Sequence, residues 1–443
     1  MRHRSQSVVD LIGEVPIVLR KRATSIGTVG LLATVWLALP VGGQTAAPRE
    51  DAKAQSKPKI GQRKGESDEK YSKRRELIVR RAKKDDDGLF TAQVQPFIVR
   101  TDISPEFTAD TALYMEMLHR EFGLAYQKMG LPPGPPKEWI EVIIYADRET
   151  YLKTGGGAGS GGYFAQAFPF FQDRPQSWKA QHYRLAMFTD GEKEFARYDK
   201  STLKHEAAHM ELQMRLGYLV DCPRWWNEGQ AACFEFWDFD KSVDENLKLI
   251  PTRGRYAPVV RRLWDTDKFR PFSYVWDIDA ASWHADMTSE QGALNYCQAW
   301  SLAAFMLNEG RAGRKAFNTI FELSKRVGAD RKVSGAGKKT LAWQSKFPKP
   351  AQEEMEAQWM EWIRTHLPKD GRNADEREGL INLGYDPDAE GLVRLTKERY
   401  AEVKKPKDDS AKVSGKGSER RKKSGKPKST EPDDGSAGGP QDF

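Results

Sequence analysis

The sequence predicts an α+β fold: a small mixed sheet over one central helix, followed by a mainly helical subdomain. Three observations predict it. The 443 residues are 39% hydrophobic and 30% charged, enough apolar material for one globular unit with long polar flanks. Runs rich in β-branched and aromatic residues, FIVRTDIS from Phe97, IEVIIYA from Ile140 and RLAMFT from Arg184, are suited to strands. After Asp199 the apolar residues recur at helical spacing instead.

The chain begins with a basic stretch containing Arg2, Arg4, Arg20, Lys21 and Arg22, then runs uncharged and mostly apolar from Ala23 to Gly43. That pattern resembles a secretory signal, with Val41-Gly42-Gly43 before Gln44 as the first choice of cleavage site. An uncharged run of 21 residues is also long enough to anchor the chain in a bilayer. Residues 1–43 are therefore read as signal peptide or membrane anchor, and the protein as exported: secreted, periplasmic or held in the cell envelope. Residues 44–88 are dense in charged, Ser and Gly residues and hold too little apolar area to fold alone, which reads as a disordered charged linker.

Order is expected from Leu89. FIVRTDIS forms a strand that leads through Ser104-Pro105 into a helix with Leu113, Met117 and Phe122 on its apolar face, and LPPGPPKE ends that helix. Two strands follow, Ile140–Ala146 and Arg184–Thr189. The run TGGGAGSGGYF between them lacks a following Gly-Lys-Ser/Thr, so it reads as a surface loop rather than a phosphate cradle. A helix from about Asp199 to Leu216 places Leu203, Ala207, Met210 and Met214 toward a core, with His205, Glu206 and His209 on the other side. Further helices are expected over Asn227–Trp237, Cys297–Leu307, Arg314–Lys325 and Gln352–Leu367. Residues 369–403 read as a weakly structured extension and residues 404–443 as a disordered, basic, low-complexity tail.

The net charge of +8 is unevenly placed. Residues 1–88 hold 19 Lys/Arg against 11 Asp/Glu and residues 404–443 hold 11 against 7, which leaves the stretch between them at −4. A nucleic-acid reader carries its basic footprint on the folded domain, so this domain is excluded as one. The basic tail remains able to contact anionic envelope polymers. Cys222, Cys233 and Cys297 are too few and too irregularly spaced for a disulfide framework or a thiolate zinc site, and read as structural thiols.

The chemistry is concentrated in His205-Glu206-Ala207-Ala208-His209, an HExxH on an expected helix. Histidines at i and i+4 project from one face a turn apart, so both imidazoles can reach one zinc ion, and the adjacent Glu206 can serve a bound water as base. A hydrolytic zinc site needs a third protein ligand. Glu228, in WWNEGQAACFE, lies beyond an 18-residue gap that holds a helix end, a loop with Asp221 and Pro223, and the start of a second helix.

HExxH, 18 residues and then Glu within Asn-Glu-Gly-x-Ala resembles the gluzincin zinc metallopeptidases, the clan of thermolysin and the aminopeptidase N family. FIVRTDIS, VIIYADRETY, GGYF, TLKHEAAHMEL, PRWWNEGQAACFE and YCQAWSLAAFM, in that order, are similar to a bacterial uncharacterised-domain branch of that clan. The resemblance covers Leu89 to Pro368. It implies a thermolysin-like catalytic domain over residues 89–368, with the active site in the groove between the sheet and the helical subdomain. It further implies zinc ligands His205, His209 and Glu228, with Glu206 activating the water for hydrolysis of a peptide or protein substrate. It also implies an edge strand upstream of the zinc helix that pairs with an extended peptide, a place RLAMFT can fill.

Two features depart from the clan pattern. No Gly-x-Met-Glu-Asn segment is present to hold a substrate amine, which disfavours exopeptidase activity. Thermolysin-like enzymes place an Asp four residues after the ligand Glu to orient a histidine, whereas that position is Ala232 here. The developing oxyanion also needs a donor. Tyr296 is the candidate, because clan members often supply a Tyr at a comparable distance; His284 is second to it, and His182 and His119 come after. Trp225 and Trp226 read as packing anchors or as cleft walls, and Trp264, Trp276, Trp283 and Trp300 as core of the helical part. A rival function is a gluzincin-fold binding or scaffold protein of the envelope that has lost turnover.

Overall fold

The computed structural model describes residues 59–403 except 133–138, 158–159, 167–182, 218–219, 221, 240, 250–254, 287–288, 330–345 and 368–373. The expected signal or anchor, the first part of the linker and the basic tail lie outside the described residues. Among those described, no helix is long and apolar enough to cross a membrane. The chain forms two compact units, Met1–Leu395 and Thr396–Phe443.

The first unit is α+β. Its mixed sheet has six strands, β1 (Lys83–Lys84), β2 (Phe90–Val94), β3 (Phe97–Thr101), β4 (Ile140–Tyr145), β5 (Gly162–Gln166) and β6 (Tyr183–Phe188), in the order β1-β2-β3-β4-β6-β5. β3, β4 and β6 run parallel to their neighbours in that group, and the other pairs are antiparallel. Alternation along β4 and β6 splits their side chains between two cores. Val142, Ile144, Leu185 and Met187 join the main core with helix α2 (Pro105–Lys128) and helix α4 (Ser201–Leu216), while Ile143, Tyr145, Ala186 and Phe188 pack with Tyr151 of the short helix α3 (Arg148–Lys153). The start of α2 follows the sequence reading: the Ser104 hydroxyl accepts from the Phe107 amide at 3.0 Å and Pro105 occupies the first turn.

Two expectations are corrected here. The stretch read as linker contains helix α1 (Asp68–Arg81), of which Tyr71 alone is buried. Ion pairs hold it more than apolar area does: Arg74 reaches Glu66 and Glu116, and Arg75 reaches Asp110 on α2. Composition alone undervalues such a helix. The second correction concerns the sheet edge. RLAMFT is internal β6, and among the described residues the edge is β5, whose first three residues are the end of the glycine-rich run that the sequence suggests is a loop.

The helical part comprises α5 (Arg224–Phe234), α6 (Val243–Leu249), α7 (Ala257–Leu263), α8 (Phe272–Asp277), α9 (Ala280–Asp286), α10 (Glu290–Asn308), α11 (Gly310–Ala329), α12 (Lys349–His366) and α13 (Ala374–Asn382). α10 is buried along almost its whole length and packs closely on α5. At Gly229 a Cβ would lie 2.3 Å from the Ala299 carbonyl oxygen, so the glycine permits the approach of the two helices. The stretch read as a weak extension is docked as far as Leu395. Arg262 donates to the carbonyls of Asp386, Pro387 and Gly391, and the Tyr385 hydroxyl donates to Glu290 at 3.0 Å. In the second unit, helix α14 (Lys397–Val403) buries no side chain.

Candidate metal centre

α4 is buried on nearly every side. Leu203, Ala207, Met210 and Met214 face the core as expected, and His205, Glu206 and His209 are also 0–2% exposed. Polar groups in such a place need partners. Glu228 lies in the second turn of α5, which packs on α4 and brings it against the two histidines. The resulting triangle is tight: Nε2 of His205 and Nε2 of His209 are 3.0 Å apart, and Oε2 of Glu228 lies 3.4 Å from the first and 3.2 Å from the second. These three residues form a buried group able to hold a metal ion.

The other ring nitrogens are engaged. Nδ1 of His205 is 2.9 Å from Oε1 of Glu235, and Nδ1 of His209 is 2.9 Å from Oδ1 of Asn227. Both partners accept, so each Nδ1 donates a proton to its partner and each Nε2 is left facing Glu228. Three acceptors this close repel one another unless a positive charge sits among them. In the metal-free protein a proton on His205 supplies it. Burial works against that charge, but the Glu228 and Glu235 carboxylates outweigh it and push His205 up to about 9. Burial likewise favours neutral Glu228, but the two histidines prevail and hold it well below the usual carboxylate range.

Glu235 is itself fixed. The Tyr256 hydroxyl donates to it at 3.1 Å and Arg255 at 2.8 Å, both from the chain just before and at the cap of α7. The histidine-orienting carboxylate that is missing at Ala232 therefore stands three residues further on. On the opposite side of Glu228, Oε1 faces Nη1 of Arg224 at 3.6 Å.

Glu206 lies against strand β5 and is not one of the three residues of the triangle. Neither of its carboxylate oxygens has a hydrogen-bond partner among the described residues, and burial pushes the group up to about 7 against the pull of the two histidines. The Phe164 amide of β5 leans toward it without closing a bond of standard geometry. Gly162 of β5 lies directly against it, where a Cβ would stand 3.2 Å from Cγ of Glu206.

Tyr296 lies in the middle of α10 rather than at a helix start, is buried, and sits 6.2 Å from the His205 ring, centroid to centroid. Trp283 meets it edge-on at 5.1 Å. Burial, with the charges of Glu228 and Glu206, pushes the phenol far up, so it stays a hydroxyl donor. The structure thus brings Tyr296 together with His205, Glu206, His209 and Glu228. The other candidate histidines differ: His284 is exposed on α9, His119 pairs with Glu211, and His182 lies outside the described residues. Trp225 stacks on Trp276 at 5.1 Å and Trp226 packs on Phe317 at 4.8 Å, so both are packing anchors.

Sequence reasoning missed Glu235, Gly162 and Arg224. Glu235 had a faint signal, lying seven residues, two helical turns, after Glu228. No protein-family model matches this chain, and no curated protein matches it.

Proposed function

We propose that the chain is an exported zinc-dependent peptidase of the gluzincin type, acting as an endopeptidase through a thermolysin-like catalytic domain. The observation that carries this reading is the buried convergence of His205, His209 and Glu228 with both Nδ1 atoms already engaged. The donor set suits zinc. Ligand atoms about 2.0–2.1 Å from a tetrahedral ion stand about 3.3–3.4 Å from each other, and the three separations here are 3.0, 3.2 and 3.4 Å.

When bound, zinc would acidify a water and polarise the substrate carbonyl. The protein's own groups do the rest. Glu206, with a proton affinity near neutrality and no competing hydrogen bond among the described residues, takes a proton from the attacking water and gives it to the departing amine. Tyr296 donates to the oxygen on which charge develops. Glu235 and Asn227 hold the histidines in the tautomer that leaves Nε2 bare. The strand β5, beside Glu206, lies at the sheet edge among the described residues, where an extended peptide could add as a further strand, and this supports endopeptidase action without strong side-chain selection.

The test joins metal analysis of the purified protein with digestion of a diverse peptide library, with and without chelator. The expected result is about one zinc per chain and internal cleavage that chelator abolishes. Cleavage indifferent to chelator, or none at all in zinc-loaded protein, would overturn the reading.

A further inference from the structure

Between the end of α2 and one face of α11 lies a cleft of about 720 Å³ that shares no residue with the metal centre. Its walls carry six cations, Lys128, Arg311, Arg314, Lys315, Arg326 and Lys346, against one carboxylate, Glu322. The setting makes this unusual, because residues 89–403 together carry a net −4. Several arginines elsewhere in the unit are paired: Arg74, Arg75, Arg100 and Arg377 each bridge a carboxylate. In the cleft Lys128 alone has such a partner, Asp244 at 3.4 Å, and the other five cations make no ion pair among the described residues.

The clustering follows from the helix. Residues 311, 315, 318, 322 and 326 repeat at three and four, which gathers them on one face of α11. The opposite face buries Phe317, Ile320 and Phe321 in the core and so fixes the orientation. Asn318 forms part of the floor. Gly130, with φ +85°, lies so near that a Cβ there would be 2.6 Å from Nδ2 of Asn318, and Oδ1 of Asn318 is buried with no hydrogen-bond partner among the described residues.

Like charges held together without partners repel, which costs stability unless something anionic occupies the space. We infer that this cleft is a binding site for a compact ligand bearing several phosphate groups. The charge count selects that chemistry. Five cations with no ion pair among the described residues, less Glu322, leave about four positive charges, which two or three phosphate groups at about −1.5 to −2 each would match. An acidic peptide carries one charge per residue, whereas phosphate groups gather the same charge on fewer atoms and present three acceptor oxygens each. Three of the cations are arginines, whose planar forks suit phosphate oxygens. A free oligophosphate and the end of a phosphodiester polymer share this chemistry.

The test is calorimetric titration of the full chain with tripolyphosphate, a glycerol-phosphate oligomer and hexaglutamate, at low and high salt. At least one phosphate ligand should bind, weaken at high salt and exceed hexaglutamate at least tenfold; the tighter of the two identifies the source. The triple variant Arg314→Gln/Lys315→Gln/Arg326→Gln removes only side chains with no ion pair among the described residues, and should melt no lower than the wild type while losing at least tenfold in affinity. Glu322→Gln should bind about threefold tighter. No phosphate binding at millimolar ligand, equal binding of hexaglutamate, or full affinity in a folded triple variant, which would put the ligand on the basic tail, would each overturn the inference.

Discussion

Glu235 holds His205: its Oε1 lies 2.9 Å from Nδ1 of the imidazole, and the same carboxylate is gripped by Tyr256 and Arg255. A buried carboxylate behind a ligand histidine fixes the tautomer and raises the basicity of the other nitrogen. Glu235→Gln should therefore fold and still bind zinc, but with about 10- to 100-fold lower affinity, read by competition with a chromogenic chelator. Unchanged affinity would make Glu235 a purely structural partner of Arg255.

Metal uptake should depend on pH in a definite direction. In the metal-free protein His205 is raised from 6.5 to about 9, so between those values the folded protein holds a proton that the unfolded chain has released. The stability this proton contributes is complete below pH 6.5 and is lost as pH rises through about 9. Zinc must displace the same proton. Apparent affinity should thus climb about tenfold per pH unit over that interval, with close to one proton released per ion. Calorimetry in buffers of different ionisation enthalpy measures the release, and affinity flat with pH would place the proton elsewhere.

Gly162 should set the position of the base. A Cβ there would stand 3.2 Å from Cγ of Glu206, from the Ala186 carbonyl oxygen and from Cβ of Met187, so these neighbours must give by a few tenths of an ångström. Overpacking of this kind costs about 1–3 kcal/mol, and since a displacement of about 1 Å in a catalytic group can cost about 100-fold in rate, a smaller shift should cost about tenfold or less. Gly162→Ala should keep zinc and lose turnover by about that factor, with a modest fall in melting temperature. Full turnover in a folded variant would show that Glu206 is not held from the sheet edge.

How much of this was legible in the sequence depends on the range of the interaction. His205 and His209 are one helical turn apart, so their convergence is local and readable from spacing. Glu228 required a turn between two helices, which its 18-residue gap permits. Glu235 was not readable, because its role depends on Arg255 and Tyr256 arriving from the start of α7 and on α5 packing against α4. The edge strand was hidden for a different reason: β5 begins in a glycine run, where the alternation that marks a strand is missing. α1 was hidden because its ion pairs with α2 leave no apolar trace.

Tyr296 should act late. Its ring is beside His205 and burial keeps the hydroxyl protonated, so the group can donate where negative charge develops rather than in the resting complex. Tyr296→Phe should lower kcat by about 100-fold, roughly 3 kcal/mol, with KM little changed. An unchanged kcat would return Tyr296 to packing against Trp283.

The sharpest division between a peptidase and a binding protein of the same fold lies in two residues three apart on α4. His209 points Nε2 into the triangle, at 3.0 Å from His205 and 3.2 Å from Glu228, whereas the Glu206 carboxylate lies outside it with no hydrogen-bond partner among the described residues. An unpaired, buried carboxyl group costs stability, and a protein that only bound its partner would gain by replacing it. Glu206→Gln should therefore keep the fold and the zinc and melt no lower than the wild type. General-base contributions are about 10²- to 10⁴-fold, so peptide cleavage should fall by that much. His209→Ala, in contrast, removes a donor and should lose metal and cleavage together. If Glu206→Gln cleaves as fast as the wild type with zinc bound, proton transfer through Glu206 is wrong; if the zinc-loaded wild type cleaves no unfolded protein or peptide, the envelope binding protein takes the peptidase's place.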